Sequence, residues 1–216
     1  MIFNDVYDKL KIAFIVIVPI IVVLILLVLL YKPIRKAVYK KRFKKLYGRK
    51  VYKIALYQDY YLINLFHFDY DDVTLAVVDH VLFSDKYIYV IMDYYYEGAI
   101  TGKINDQSLV LISSKGKKQY INNPVNDTKQ IIKRLAMMTA IDPSMFIGIG
   151  LLNKECSLDV EQTANDYYII QVDKFARLVE AIESRKVAPL NDEELKKLVQ
   201  DLDRINQKGK KKNVDN

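Results

Sequence analysis

Asp79 lies inside an apolar run, residues 73–83, and a carboxylate carried into such a layer needs a cation or hydrogen-bond donors to offset its lost hydration. Two roles follow. It is a strand-end residue that caps a turn or pairs with a nearby lysine, or it keeps a contact to a nucleic acid or nucleotide. Asp93 and Glu97 are the acids that could join it as ligands of one metal ion. His67, His80 and Cys156 are too few and too scattered for a zinc site, so no metal site is expected from them. The run Tyr94-Tyr95-Tyr96 reads as a half-buried β-segment with cross-strand aromatic packing. Its sharper reading is a stacking platform for bases, worth about 1–3 kcal/mol per base where one exists. The densest positive charge is the block Lys40, Lys41, Arg42, Lys44, Lys45, Arg49 and Lys50. It suits anionic lipid headgroups, at roughly 1 kcal/mol per basic residue, and equally the phosphates of a nucleic acid.

Those residues are carried by recognisable elements. Residues 12–31 are uncharged and nearly all apolar, the length an α-helix needs to cross a bilayer. Asp5, Asp8, Lys9 and Lys11 cancel before the run, and Lys32, Arg35, Lys36 and the basic block follow it. Positive charge on the inner side puts the N-terminus outside and the rest of the chain in the cytoplasm. A cleaved signal peptide carries its charge on the other flank. Pro19 predicts a kink rather than a break. Single Cys156 excludes an internal disulfide, in keeping with a reducing compartment. The net charge of +7 is concentrated in the juxtamembrane block and in the tail Lys208, Lys210, Lys211 and Lys212. The intervening body is close to neutral.

Past the span, residues 36–56 read as helix interrupted at Gly48. Strands are expected at 60–68, 73–83 and 86–94, a turn region at Gly98 and Gly102, and a fourth strand at 108–112. A helix capped by Asn126 or Asp127 carries Ile131, Ile132, Leu135, Met138 and Ile141 at helical spacing and ends at Asp142-Pro143. Residues 145–152 read as a fully buried strand, 167–172 as another, and 174–184 as an amphipathic helix. Asn191 with Glu194 forms a capping box for a last helix. Its stripe of Leu195, Leu198, Val199, Leu202 and Ile205 normally packs on its own domain. This order gives a mixed α/β layer fold.

The stretches Val78-Asp79-His80-Val81-Leu82-Phe83, Tyr87-Ile88-Tyr89-Val90-Ile91, Gly98-Ala99-Ile100-Thr101-Gly102 and Asn122-Asn123-Pro124 resemble the nuclease-related domain (NERD) family over roughly residues 47–155. That resemblance implies a restriction-endonuclease-like mixed sheet with flanking helices, often beside one membrane span in bacteria. It also implies Mg²⁺ held by acidic oxygens, with a lysine that stabilises charge. Asp79 matches the family aspartate. Counting back from Gly98 puts Met92 at the glutamate position and Tyr94 at the lysine position of the Glu-x-Lys pair. Upstream, the family glutamate falls near Tyr52, with Gly48 the surviving glycine; Asp127 replaces a glutamine past Pro124. A thioether does not suit a hard cation. Lys86 sits at the start of the strand, out of reach of the lysine position.

The expectation is therefore a short outer segment 1–11, a transmembrane helix 12–31, a basic segment 32–50 and a NERD-like α/β domain 51–186. A C-terminal helix 187–206 and a disordered basic tail 207–216 complete it. The expected function is a catalytically inactive scaffold at the inner membrane face that binds nucleic acid or protein and needs no cofactor. The alternatives are a nuclease with a relocated Mg²⁺ site around Asp79, or a structural subunit joined to other membrane proteins through the span and the last helix.

Overall fold

The structure, a computed structural model, describes the backbone of residues 2–69 and 75–214. The expected start of the second strand at residue 73 lies outside the described residues. The chain divides into two units, Met1–Phe43 and Lys44–Asn216.

The first unit is helical throughout its described length, as part of α1 (Ile2–Gln58), so helix begins well before the expected residue 12. Pro19 and Pro33 lie inside the helix. An apolar window near its N-terminus reaches a mean hydropathy of 2.8 with none of it buried, long and apolar enough to cross a membrane.

The second unit opens on the end of α1. The expected interruption at Gly48 does not occur. Glycine is there because of packing: a Cβ on Gly48 would stand 3.1 Å from His80 Cε1. Tyr47, Val51 and Ala55, spaced four apart on one helix face, are buried beside it.

Two sheets follow. β1 (Tyr61–Asp69), β2 (Leu75–Phe83) and β3 (Ile88–Tyr94) form an antiparallel meander. The second sheet is begun by β4 (Ala99–Lys103), β5 (Ser108–Ile112) and β6 (Lys118–Asn122), also antiparallel. After α2 (Pro124–Thr139) and a 3-10 turn at Pro143–Met145, β7 (Phe146–Leu152) pairs parallel to β3. β8 (Ser157–Glu161) pairs parallel to β4, and β9 (Tyr167–Gln171) parallel to β7. Strand order is β1-β2-β3-β7-β9 in one sheet and β6-β5-β4-β8 in the other. Helices α3 (Phe175–Glu183) and α4 (Asp192–Val214) end the chain. This is the expected α/β fold of mixed sheets with flanking helices.

Three strands were not legible. β4 begins beside Gly98 and contains Gly102, both at positive φ, which read as a turn. β6 and β8 are short and present mostly exposed side chains, with Ile121 of β6 and Leu158 and Val160 of β8 packed against a buried cluster. The strand β7, by contrast, is buried at all seven positions. Its glycines let α2 lie close: a Cβ on Gly148 would meet Thr128 Oγ1 at 2.8 Å, and one on Gly150 would meet Pro124 Cβ at 2.8 Å.

The first core joins β1–β3 and β7 to α2 and to the α4 stripe, with Leu195, Leu198, Val199 and Ile205 packed around buried Leu202. The stripe of α4 thus faces its own domain. Asn191 Oδ1 accepts the Glu193 and Glu194 amides at 2.7 and 3.2 Å, the expected cap. The helix does not stop at residue 206: the expected disordered tail is helical through Val214, and Gly209 lies against the His67 carbonyl.

Candidate functional site

The site lies where β2 and β3 part. Their pairing ends at His80 with Ile91. On the other side of β2, Leu65 leaves the β1 ladder opposite Asp79 with a positive φ of 51°. The Asp79 carboxylate fills the parted ladder. Its Oδ2 accepts the Asp93 amide at 2.9 Å, and its Oδ1 accepts from Lys44 Nζ at 2.7 Å. The Asp79 side chain is 4% exposed and that of Lys44 59%. Of the two structural roles open to a carboxylate in an apolar run, Asp79 takes the ion pair.

His80, the next residue, faces the last turns of α1 under Gly48. Its Nδ1 lies 2.6 Å from Asn64 Oδ1 and its Nε2 3.0 Å from Asp93 Oδ2. With the amide oxygen turned toward it, Nδ1 carries a proton and donates to Asn64. Asp93 Oδ1 is buried without a hydrogen-bond partner. Burial raises the Asp93 carboxyl above the ordinary carboxylate range, while His80 pulls the other way.

Met92 and Tyr94, expected at the Glu-x-Lys positions, point elsewhere. Met92 packs into the first core. Tyr94 packs against a second core, which includes Ile100, Leu109, Val125, Leu152 and Ile169, and its hydroxyl donates to Asp127 Oδ2 at 2.7 Å. Burial, then the bond to Asp127, pushes that hydroxyl far above the usual phenol range and keeps it protonated. The Tyr94 and Tyr96 rings stack on one another, 6.1 Å apart and tilted by 8°. Asp93, between Met92 and Tyr94 in sequence, meets His80 instead, as strand alternation requires.

Asn123 connects this region to the second sheet. It is the true cap of α2, in place of the expected Asn126 or Asp127, because Pro124 already occupies the first helical position. Its Oδ1 accepts the Val125 amide at 3.0 Å, and its Nδ2 donates to the Ile104 and Asp106 carbonyls at 2.9 and 2.7 Å.

The sequence model of the NERD family, nuclease-related domain, matches residues 42–149, half of the 216-residue chain. The chain belongs to the NERD family. No curated protein and no solved structure matches it.

The donor set of this NERD domain does not fit the Mg²⁺ that a nuclease of this type would use. Both Asp79 oxygens are engaged, the nearest second carboxylate is turned to an imidazole, and no group of three or more His, Cys, Asp or Glu among the described residues could hold a metal ion. Of the basic residues expected to meet phosphates, Lys44 is taken up by Asp79, while Lys45, Arg49 and Lys50 are exposed along the same stretch of α1. Lys40, Lys41 and Arg42 belong to the other unit and are exposed there.

Sequence reasoning missed Lys44 and Asn64 as partners at the site. The helical spacing of Lys44, Tyr47, Gly48 and Val51 was the available signal for Lys44, since positions three and four apart share one face. Nothing in the sequence pointed to Asn64, which is brought to His80 by strand pairing alone.

Proposed function

We propose that this chain is a membrane-anchored NERD domain without metal-dependent nuclease activity, which binds nucleic acid at the cytoplasmic face through exposed basic side chains of α1. The apolar helix supplies the anchor, and the excess of Lys and Arg after it supplies the orientation. The observation that carries the reading is the engagement of Asp79 by Lys44 and the Asp93 amide, with Met92 and Tyr94 packed into the two cores. An acidic cage and a lysine are what hydrolysis of a phosphodiester asks of this frame. Here Asp79 and Asp93 are engaged by groups of the chain itself. Lys45, Arg49 and Lys50 offer a strip of charge suited to backbone phosphates. The relocated nuclease built from Asp79 with Asp93 is the competing reading, and the opposed pairing of those two carboxylates speaks against it.

The test uses the full chain in detergent micelles with labelled single- and double-stranded DNA and RNA, in Mg²⁺ or Mn²⁺, across a salt series. Binding without cleavage, weakening steeply with salt and reduced in the triple substitution Lys45→Ala, Arg49→Ala, Lys50→Ala, is the expected result. Cleavage that vanishes in Asp79→Ala would restore the enzyme. Neither binding nor cleavage would leave a protein-binding scaffold, to be pursued by crosslinking.

A further inference from the structure

The acids of the site come with bases of their own. Asp79 lies 2.7 Å from the Lys44 ammonium, and Asp93 lies 3.0 Å from His80 Nε2. Among the described residues Asp79 has no other ion-pair partner, and it is the buried member of its pair. A carboxylate at that depth with no counter-charge is costly enough to give up its ionisation. Lys44 reaches it along an aliphatic stem while most of its own side chain stays in water.

We infer that the Lys44 ammonium is the resident cation of this site, supplying to Asp79 the positive charge that the nuclease frame assigns to a divalent metal. Lys44 is thereby a positioning residue. It holds Asp79 aimed so that Oδ2 can take the Asp93 amide, which lacks a ladder partner on β2. The Lys44 ammonium then offsets the Asp79 carboxylate inside the protein, while the second acid, Asp93, meets the His80 ring. A hydrated divalent ion that reaches Asp79 must first displace this charge-assisted hydrogen bond. The same contact fixes the end of α1 to the sheet, since Lys44 and Gly48 stand one turn apart over Asp79 and His80.

This inference rests on the non-hydrolytic reading, so its test reads metal binding and stability rather than cleavage or nucleic-acid affinity. The full chain in detergent micelles is titrated with Mn²⁺, bound ion is counted by electron paramagnetic resonance, and melting is followed by tyrosine near-ultraviolet dichroism. The wild-type chain is expected to bind no Mn²⁺ and to melt at the same temperature with or without it. Lys44→Glu puts a third carboxylate where the ammonium was. It is expected to gain Mn²⁺ binding and a melting temperature that rises with the ion. Stoichiometric Mn²⁺ on the wild type, lost in Asp79→Asn, overturns the inference; so does a folded Lys44→Glu that binds none. Should Lys44→Glu fail to fold, Lys44→Met decides. It is expected to melt a few degrees lower, with Asp79→Asn recovering part of that loss in the double variant. Losses that simply add would overturn the inference.

Discussion

At the scale of single residues, the site is governed by where carboxylates find their partners. Asp79 accepts the Asp93 amide, yet the two carboxylates are turned to different bases. Asp93 illustrates the cost. One of its oxygens is buried with no partner, and desolvation raises its pKa. A carboxyl that binds its proton more tightly folded than unfolded adds stability below its unfolded pKa, and that contribution is lost as pH rises through the folded value. Stability measured by urea unfolding should therefore fall as pH rises from the ordinary carboxylate range through the elevated range of Asp93. Asp93→Asn should flatten that slope, whereas an unchanged slope would show that Asp93 is not its source. The sequence disclosed the identity of Asp79 and its need of a partner. It did not disclose which lysine, because Lys44 and Asp79 are distant in the chain and meet only when α1 crosses β2.

At the scale of elements, several boundaries were set by single side chains rather than by periodicity. The helix α2 starts where Asn123 caps it, and Asn123 also holds the loop before β5 through two carbonyls. Removing it deletes the cap and takes the donor from one buried and one part-buried carbonyl. Asn123→Ala should thus destabilise the domain by roughly 2–4 kcal/mol, read as a shift of the urea midpoint with an unchanged slope. A loss near a few tenths would mean that the loop carbonyls find water. Long apolar strands such as β3 and β7 were legible, since a β-branched or fully buried run has few other homes. β4, β6 and β8 were not, because each is only five residues long and carries few apolar side chains. The apolar stripe of α4 predicted its own-domain packing correctly, and its helical extension to Val214 ran beyond what the stripe alone indicated.

At the scale of the whole molecule, the apolar helix and the NERD domain are two units with different solvents in their composition. A proposed bilayer anchor is testable without the domain's function. A charged residue near the middle of a spanning helix costs about 2.5–3.5 kcal/mol in insertion. The wild-type chain should remain in the membrane pellet after a carbonate wash, and the double substitution Leu24→Arg, Leu27→Arg should release it. Release of the wild type by carbonate would reduce the helix to a surface element. Protease added to sealed inverted vesicles should digest the domain, while right-side-out vesicles should protect it.

The sequence by itself determined the apolar helix, the α/β class and the family frame. These are properties of residue type and near-neighbour spacing, which hydropathy and side-chain periodicity write directly into the chain. Tertiary structure alone decided that Lys44 serves Asp79, that Asn64 and Asp93 share His80, and that Tyr94 is tied to Asp127. Each of those contacts joins residues far apart in sequence. A buried polar atom takes whichever partner the packing of helix on sheet brings within hydrogen-bond reach, and composition does not record that choice.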